Sequence, residues 1–231
     1  MLVDNLRFAS GDLYDERNVQ KTYTYFGRLS ALKYTNIRFF ETQNGDSTQL
    51  NCYVMLTKSK HKSISFELEG TNSAGDLGAA ASVSFQHRNL FRGSETFMVK
   101  FRGAYEAISG LQPGYKNHNY TEYGVETSIN FPNFLFPFLT SDFKRRIKET
   151  TEFGLQYNYQ LRPEFSRTIA SASWSYKWMQ KQKIQHRIDL LDISYLYLPW
   201  ISSQFQEDYI NKDKDNYILK YNYENRLIVR M

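Results

Sequence analysis

A single cysteine, Cys52, stands among 231 residues. That excludes an intrachain disulfide, a CxxC redox motif and any cysteine-rich metal cluster. Cys52 falls in a predicted strand, where it reads as a packed small residue rather than a reactive thiol. The histidines, His61, His87, His118 and His186, lie far apart in the sequence. They read as scattered surface or lumen side chains, not as a metal site. With only 5 prolines and 12 glycines, the chain is neither collagen-like nor low-complexity. No stretch approaches the roughly 18 consecutive apolar residues of a transmembrane helix. The opening run Met1 to Arg7 has no apolar h-region, so no signal peptide is expected. Charge of one sign does not dominate either, the net being +5. The densest basic group, Lys144-Arg145-Arg146 with Lys148, is followed by Lys177, Lys181 and Lys183. It reads as a solvated turn or a face near anionic lipid headgroups, and nucleic acid is not an expected partner.

What the chain does have is aromatics. They make up 16% of the residues, with 18 Tyr and 17 Phe, yet mean hydropathy is −0.59. Disordered chains are aromatic-poor, so this combination points to apolar residues alternating with polar ones.

The first 60 or so residues differ in period from the rest. Val19, Tyr23, Phe26 and Leu29 fall on one face of a predicted helix that Asp12 or Asp15 can cap. Strand-like runs follow at Tyr34 to Thr42 and Gln49 to Lys58, joined by the hairpin-turn signal Asn44-Gly45-Asp46. From about Ser63 the period becomes 2. Ile64, Phe66 and Leu68 alternate with Ser65, Glu67 and Glu69. The pattern recurs through Ala79 to Gln86, Phe97 to Glu106, Glu122 to Phe131, Glu152 to Leu161 and Ala170 to Trp178. Two further runs, Ile184 to Leu198 and Asn216 to Glu224, are less regular, and the first shifts phase at Leu190-Leu191, as a bulge would make it do. About eight dyad-repeat strands of roughly 9–12 residues match what a tilted strand needs to cross a bilayer. Soluble strands more commonly run about 5–6 residues. Trp174, Trp178 and Trp200, with flanking tyrosines, fit an interfacial aromatic girdle, though ordinary core aromatics remain an alternative.

Two groups of residues resemble a known family. Gly11-Asp12-Leu13-Tyr14, Val19, Thr22, Leu29, Leu32 and Ile37-Arg38-Phe39 resemble the second half of a POTRA module. Leu68-Glu69-Gly70-Thr71-Asn72-Ser73-Ala74-Gly75-Asp76-Leu77-Gly78 is similar to the first barrel hairpin of the BamA/TamA superfamily, the bacterial surface antigen family. Asn89-Leu90-Phe91-Arg92-Gly93-Ser94-Glu95 resembles that family's first periplasmic turn. The tyrosine- and asparagine-rich style is most similar to the TamA-like lipoprotein branch of Bacteroidetes.

The resemblance implies a mostly β chain. Residues 1–60 would be a partial POTRA module in the periplasm, and residues 61–231 the N-terminal half of an outer-membrane β-barrel. It implies a non-enzymatic role without cofactors, in the insertion or assembly of other β-barrels or in protein translocation across the outer membrane. The implied partners are outer-membrane lipid, unfolded outer-membrane protein clients, and periplasmic or inner-membrane translocation components. Clients would add as strands to a sheet edge, here the first barrel strand: Ser63, Ile64, Ser65, Phe66, Glu67, Leu68, Glu69, Gly70 and Thr71. Its backbone groups rather than its side chains would do the templating. Asn89, Leu90, Phe91, Arg92 and Gly93 would form the family turn. The last run, Leu227 to Met231, reads as mid-strand, so the chain is expected to be a fragment, inactive alone.

No catalytic constellation competes with this reading. Glu122 and Glu126 share a strand face, but no nucleophile or metal cluster accompanies them. Gly70 to Gly75 lacks the Lys-Ser/Thr ending of a phosphate loop. The rival expectation is a soluble, aromatic-rich β-domain that binds glycan or nucleic acid.

Overall fold

The computed structural model describes residues 2–44, 47–73, 76–109, 119–135, 149–180, 184–211 and 221–231. The chain divides into two compact units, Met1–Lys62 with His87–Thr96, and Ser63–Gln86 with Phe97–Met231.

In the first unit a helix, α1 (Glu16–Phe26), precedes a two-stranded antiparallel sheet of β1 (Leu32–Asn44) and β2 (Ser47–Lys58). Asp15 is the cap: its side chain accepts from the Arg17 N–H, satisfying a donor that the helix start leaves free. Asp12 instead accepts from the Ala9 N–H, one turn earlier. Val19, Thr22 and Phe26 form the buried stripe of α1, and Leu29, beyond the helix end, is buried too. Thr22 is fully buried because its hydroxyl donates to the Asn18 carbonyl and accepts from the Arg7 N–H. The Tyr23 hydroxyl joins α1 to β1, accepting from the Ile37 N–H and donating to the Ile37 carbonyl. Cys52 lies in β2 as expected but is exposed, not packed. The Gly45-Asp46 part of the predicted turn lies outside the described residues.

The second unit is built on an eight-stranded sheet: β3 (Lys62–Ser73), β4 (Asp76–Arg88), β5 (Thr96–Ala107), β6 (Asn119–Phe131), β7 (Glu149–Leu161), β8 (Phe165–Gln180), β9 (Ile184–Ile201) and β10 (Arg226–Arg230). Each strand pairs with the next in sequence, so the sheet is a meander with β3 and β10 at its ends, and it does not close among the described residues. The phase shift at Leu190-Leu191 is a bulge. Trp174 pairs with Leu191 and Ser175 with Asp189, leaving Leu190 as the extra residue. A second irregularity, between Ser166 and Thr168 on β8, faces Leu198-Pro199 on β9. Proline has no N–H for a ladder and settles at such points, while the neighbouring Leu198 N–H is taken by the Asn225 side chain.

The final strand falls on the closing run, Leu227 to Met231, which the sequence reads as mid-strand. Of the predicted run Asn216 to Glu224, residues 216–220 lie outside the described residues and Tyr221-Asn222 is a helical turn; the strand is Arg226–Arg230. Between β9 and β10, a helical turn (Ser203–Phe205) and a π-turn (Gln206–Ile210) follow the strand. Phe205 and Tyr223 pack there with Phe165, at ring distances of 5.1–6.5 Å. The links 110–118, 136–148, 181–183 and 212–220, including Lys144, Arg145, Arg146, Lys148 and His118, lie outside the described residues.

Candidate functional site

The predicted templating strand, Ser63 to Thr71, lies within β3, at the end of the sheet. The Arg88 N–H donates to the His61 carbonyl, and Ser63–Gln86 and Glu67–Ser82 side-chain contacts keep the same register along β4. Backbone groups of an antiparallel strand turn to opposite sides at successive residues. Ser63, Ser65, Glu67 and Glu69 therefore turn theirs toward β4. Ile64, Phe66, Leu68 and Gly70 turn theirs outward, where no strand pairs with them among the described residues. The same three apolar side chains are 62%, 74% and 86% exposed.

On the other face of β3, each glutamate finds a cation two strands away. Lys100 Nζ lies 2.9 Å from Glu67 Oε2, and Arg102 grips Glu69 with both guanidinium nitrogens. The reach is possible because the β4 residues between them, Ala80 and Ser82, are small and buried. This polar face continues across the sheet. Glu122 accepts from Tyr120 and Asn158, Arg167 donates to Gln160, Lys177 pairs with Glu152, Arg187 with Asp189, and Arg230 with Asp192. Glu122 is thus tied to a hydroxyl and an amide, not to Glu126. No group of three metal-ligating side chains occurs among the described residues.

The opposite face is apolar and ordered in rows. Tyr123, Tyr159, Thr168 and Tyr197 stand side by side across β6–β9, and the next row holds Val125, Tyr157, Ala170, Tyr195 and Leu227. The middle row is Thr127, Leu155, Ala172, Ile193 and Val229. Toward the other end come Ile129, Phe153, Trp174 and Leu191, then Phe131, Thr151, Tyr176 and Ile188, then Trp178 beside His186. Tyrosines gather at one end, aliphatics lie between, and Phe, Trp and Tyr gather at the other. Phe153–Trp174 and Trp178–His186 rings lie 5.3 and 4.9 Å apart.

The predicted family turn, Asn89 to Gly93, sits in the first unit. Asn89, Arg92 and Ser94 all have positive φ, between 64° and 67°. Such conformations cost roughly 1–2 kcal/mol each outside glycine, and here side chains hold them. Asn89 Oδ1 accepts from the Ser94 N–H, and the Glu95 carboxylate accepts from the Phe91 and Gly93 N–H groups. Gly93 makes room for that carboxylate, since a Cβ there would sit 2.0 Å from Glu95 Oε1. Ser94 then fastens the turn: its Oγ accepts from the Ala31 N–H, and its carbonyl accepts from the Ser30 hydroxyl. The sequence marked the turn but not Ser30 or the bracing role of Glu95. Nor did spacing reveal that His61 and His87 stack, with ring centroids 6.5 Å apart.

No protein-family model matches the chain, and no curated protein matches it. Among solved structures, the chain is similar to BamA from Haemophilus ducreyi lacking POTRA domains 1–3, with 10% identity and a TM-score of 0.38. The likeness covers 87% of this chain and 46% of that one, so the chain spans just under half of that protein's length.

Proposed function

We propose that the chain is a β-barrel wall segment of a bacterial outer-membrane protein of the BamA/TamA type, carrying part of a POTRA-like module at its N-terminus. Its role is non-enzymatic. It takes part in inserting other β-barrels into the outer membrane, or in translocating proteins there, by lending a strand edge to unfolded clients.

The observation that carries this reading is the row order of the large sheet's apolar face. From the Tyr159 row to the Trp178 row the strands advance ten residues, about 33 Å along the strand at roughly 3.3 Å each. A tilt of about 40° reduces that to about 25 Å, the height of the apolar band between the aromatic girdles of a transmembrane barrel. Water-soluble chains rarely leave so large an apolar face uncovered, and the ion pairs of the other face suit a wet lumen. The rival soluble domain binding glycan or nucleic acid would leave Phe66, Leu68, Phe101, Leu155 and Leu227 facing water.

The templating role rests on β3. In hydrocarbon each unpaired backbone group costs several kcal/mol, so the outward groups of Ile64, Phe66, Leu68 and Gly70 require a partner strand. A client strand would meet that need with main-chain hydrogen bonds that ignore client sequence. Phe66→Pro tests it, because it removes one outward N–H while leaving the ladder to β4 intact. In vesicles carrying the full chain, binding of a urea-unfolded eight-stranded outer-membrane barrel should weaken severalfold in Phe66→Pro. Unchanged binding would overturn the templating role.

A further inference from the structure

On the apolar face, Thr151 breaks the pattern. It is a fully buried polar residue in the row of Phe131, Tyr176 and Ile188. The chain leaving β6 explains it. After Phe131, residues Pro132 to Leu135 fold back over this face, and Phe134 packs on Tyr176 with ring centroids 4.3 Å apart. The Thr151 hydroxyl donates to the Asn133 carbonyl (2.9 Å) and accepts from the Leu135 N–H (3.0 Å). The Tyr176 hydroxyl donates to the Leu135 carbonyl (3.4 Å). Three backbone groups of an irregular segment are thus satisfied by side chains rising from the sheet.

In water these groups would need no such help. Beside lipid they would, because irregular backbone is tolerated there only when its polar groups are paired. The Leu135 side chain is 43% exposed, and Trp174, Trp178 and His186 lie in the rows on either side of Thr151 and Tyr176. Trp and Tyr belong at the headgroup level of a bilayer. We propose that Pro132–Leu135 is an interfacial foot. It seats on the outer face of the wall at the end where β6 exits, and presents Leu135 to the phospholipid leaflet on that side, at the boundary between headgroups and acyl chains. The proposal rests on the membrane reading above and adds a lipid-contact site outside the strands. It also gives Thr151 and Tyr176 the task of holding that site.

The test places a single tryptophan in the full chain, with Trp174, Trp178 and Trp200 changed to Phe, reconstituted in phosphatidylcholine–phosphatidylglycerol vesicles. Leu135→Trp reports on the foot, and Leu155→Trp reports on the middle of the apolar band. Lipids brominated near the headgroup should quench Leu135→Trp more than about two-fold better than lipids brominated near the chain ends, as an interfacial depth of roughly 5–10 Å requires. Leu155→Trp should show the reverse order. Adding Thr151→Val should abolish the shallow quenching at Leu135→Trp, and should leave Leu155→Trp unchanged. Quenching of Leu135→Trp by aqueous acrylamide but not by bromine, with Leu155→Trp still quenched by deep bromine, overturns the foot while the membrane reading stands. Acrylamide quenching at both positions, with no bromine effect, overturns the membrane reading and the foot with it. Shallow quenching that survives Thr151→Val overturns the role of Thr151.

Discussion

Lys100 on β5 and Glu67 on β3 form an ion pair 2.9 Å long across the strand that separates them. The bridge passes over Ser82 of β4, which is small and buried and itself donates to Glu67. It stitches the end strand to the second strand inward, on the face away from the exposed apolar side chains. An edge strand with one ladder opens more readily than strands paired on both sides.

Glu67→Ala should therefore speed amide hydrogen exchange in β3 selectively, leaving β7 and β8 unchanged. Because both partners are partly exposed, global stability should shift little. Exchange measured residue by residue checks both points. Uniform acceleration across the sheet would show that the bridge does not act on the edge.

The turn of Asn89 to Glu95 is braced by one carboxylate. Glu95→Ala should orphan the Phe91 and Gly93 N–H groups and destabilise the first unit by about 1–3 kcal/mol. Gly93→Ala should cost a similar amount, about 1–3 kcal/mol, because the new methyl group collides with the carboxylate. The double variant should cost less than the sum, since removing the carboxylate removes the clash. Denaturant unfolding of the three variants reads this coupling directly.

Thr22 is a polar residue at the centre of an apolar stripe. Thr22→Val keeps its shape but strands the Arg7 N–H, and should cost about 1–3 kcal/mol. Phe26→Ala, which empties the largest buried side chain of α1, should cost about 3–5 kcal/mol. Thermal melts followed by near-ultraviolet circular dichroism check the order.

Leu155 is exposed in the middle apolar row. On a water-facing sheet Leu155→Arg would change stability by no more than about 0.5 kcal/mol. Facing hydrocarbon at mid-depth, it should cost about 2–4 kcal/mol. Reversible unfolding from lipid vesicles in urea distinguishes the two values.

Much of this architecture was legible in the sequence because the strands repeat with period 2 and their charges keep to one face. The bulge at Leu190 could be read because an extra residue must reverse that phase. The helix α1 was legible from Val19, Phe26 and its Asp15 cap. What escaped were contacts that join residues far apart in the chain. Ser30 to Ser94, Lys100 to Glu67 and His61 to His87 depend on strand register, which no local spacing encodes. The closing run from Leu227 was legible as strand, but its pairing with β9 was not, because register is not encoded locally. Thr151 gave no local signal, because its partners lie on the β6–β7 connection. The site residues Ser63 to Thr71 were legible as a strand, but their place at the sheet's end follows from the order of all eight strands.

Refolding the full chain with and without detergent micelles decides whether the apolar face of the sheet meets lipid. Far-ultraviolet circular dichroism and size-exclusion chromatography should show β-structure in a discrete species only when detergent or lipid is present, and aggregation in buffer alone. A folded, monodisperse monomer in detergent-free buffer would contradict that contact with lipid.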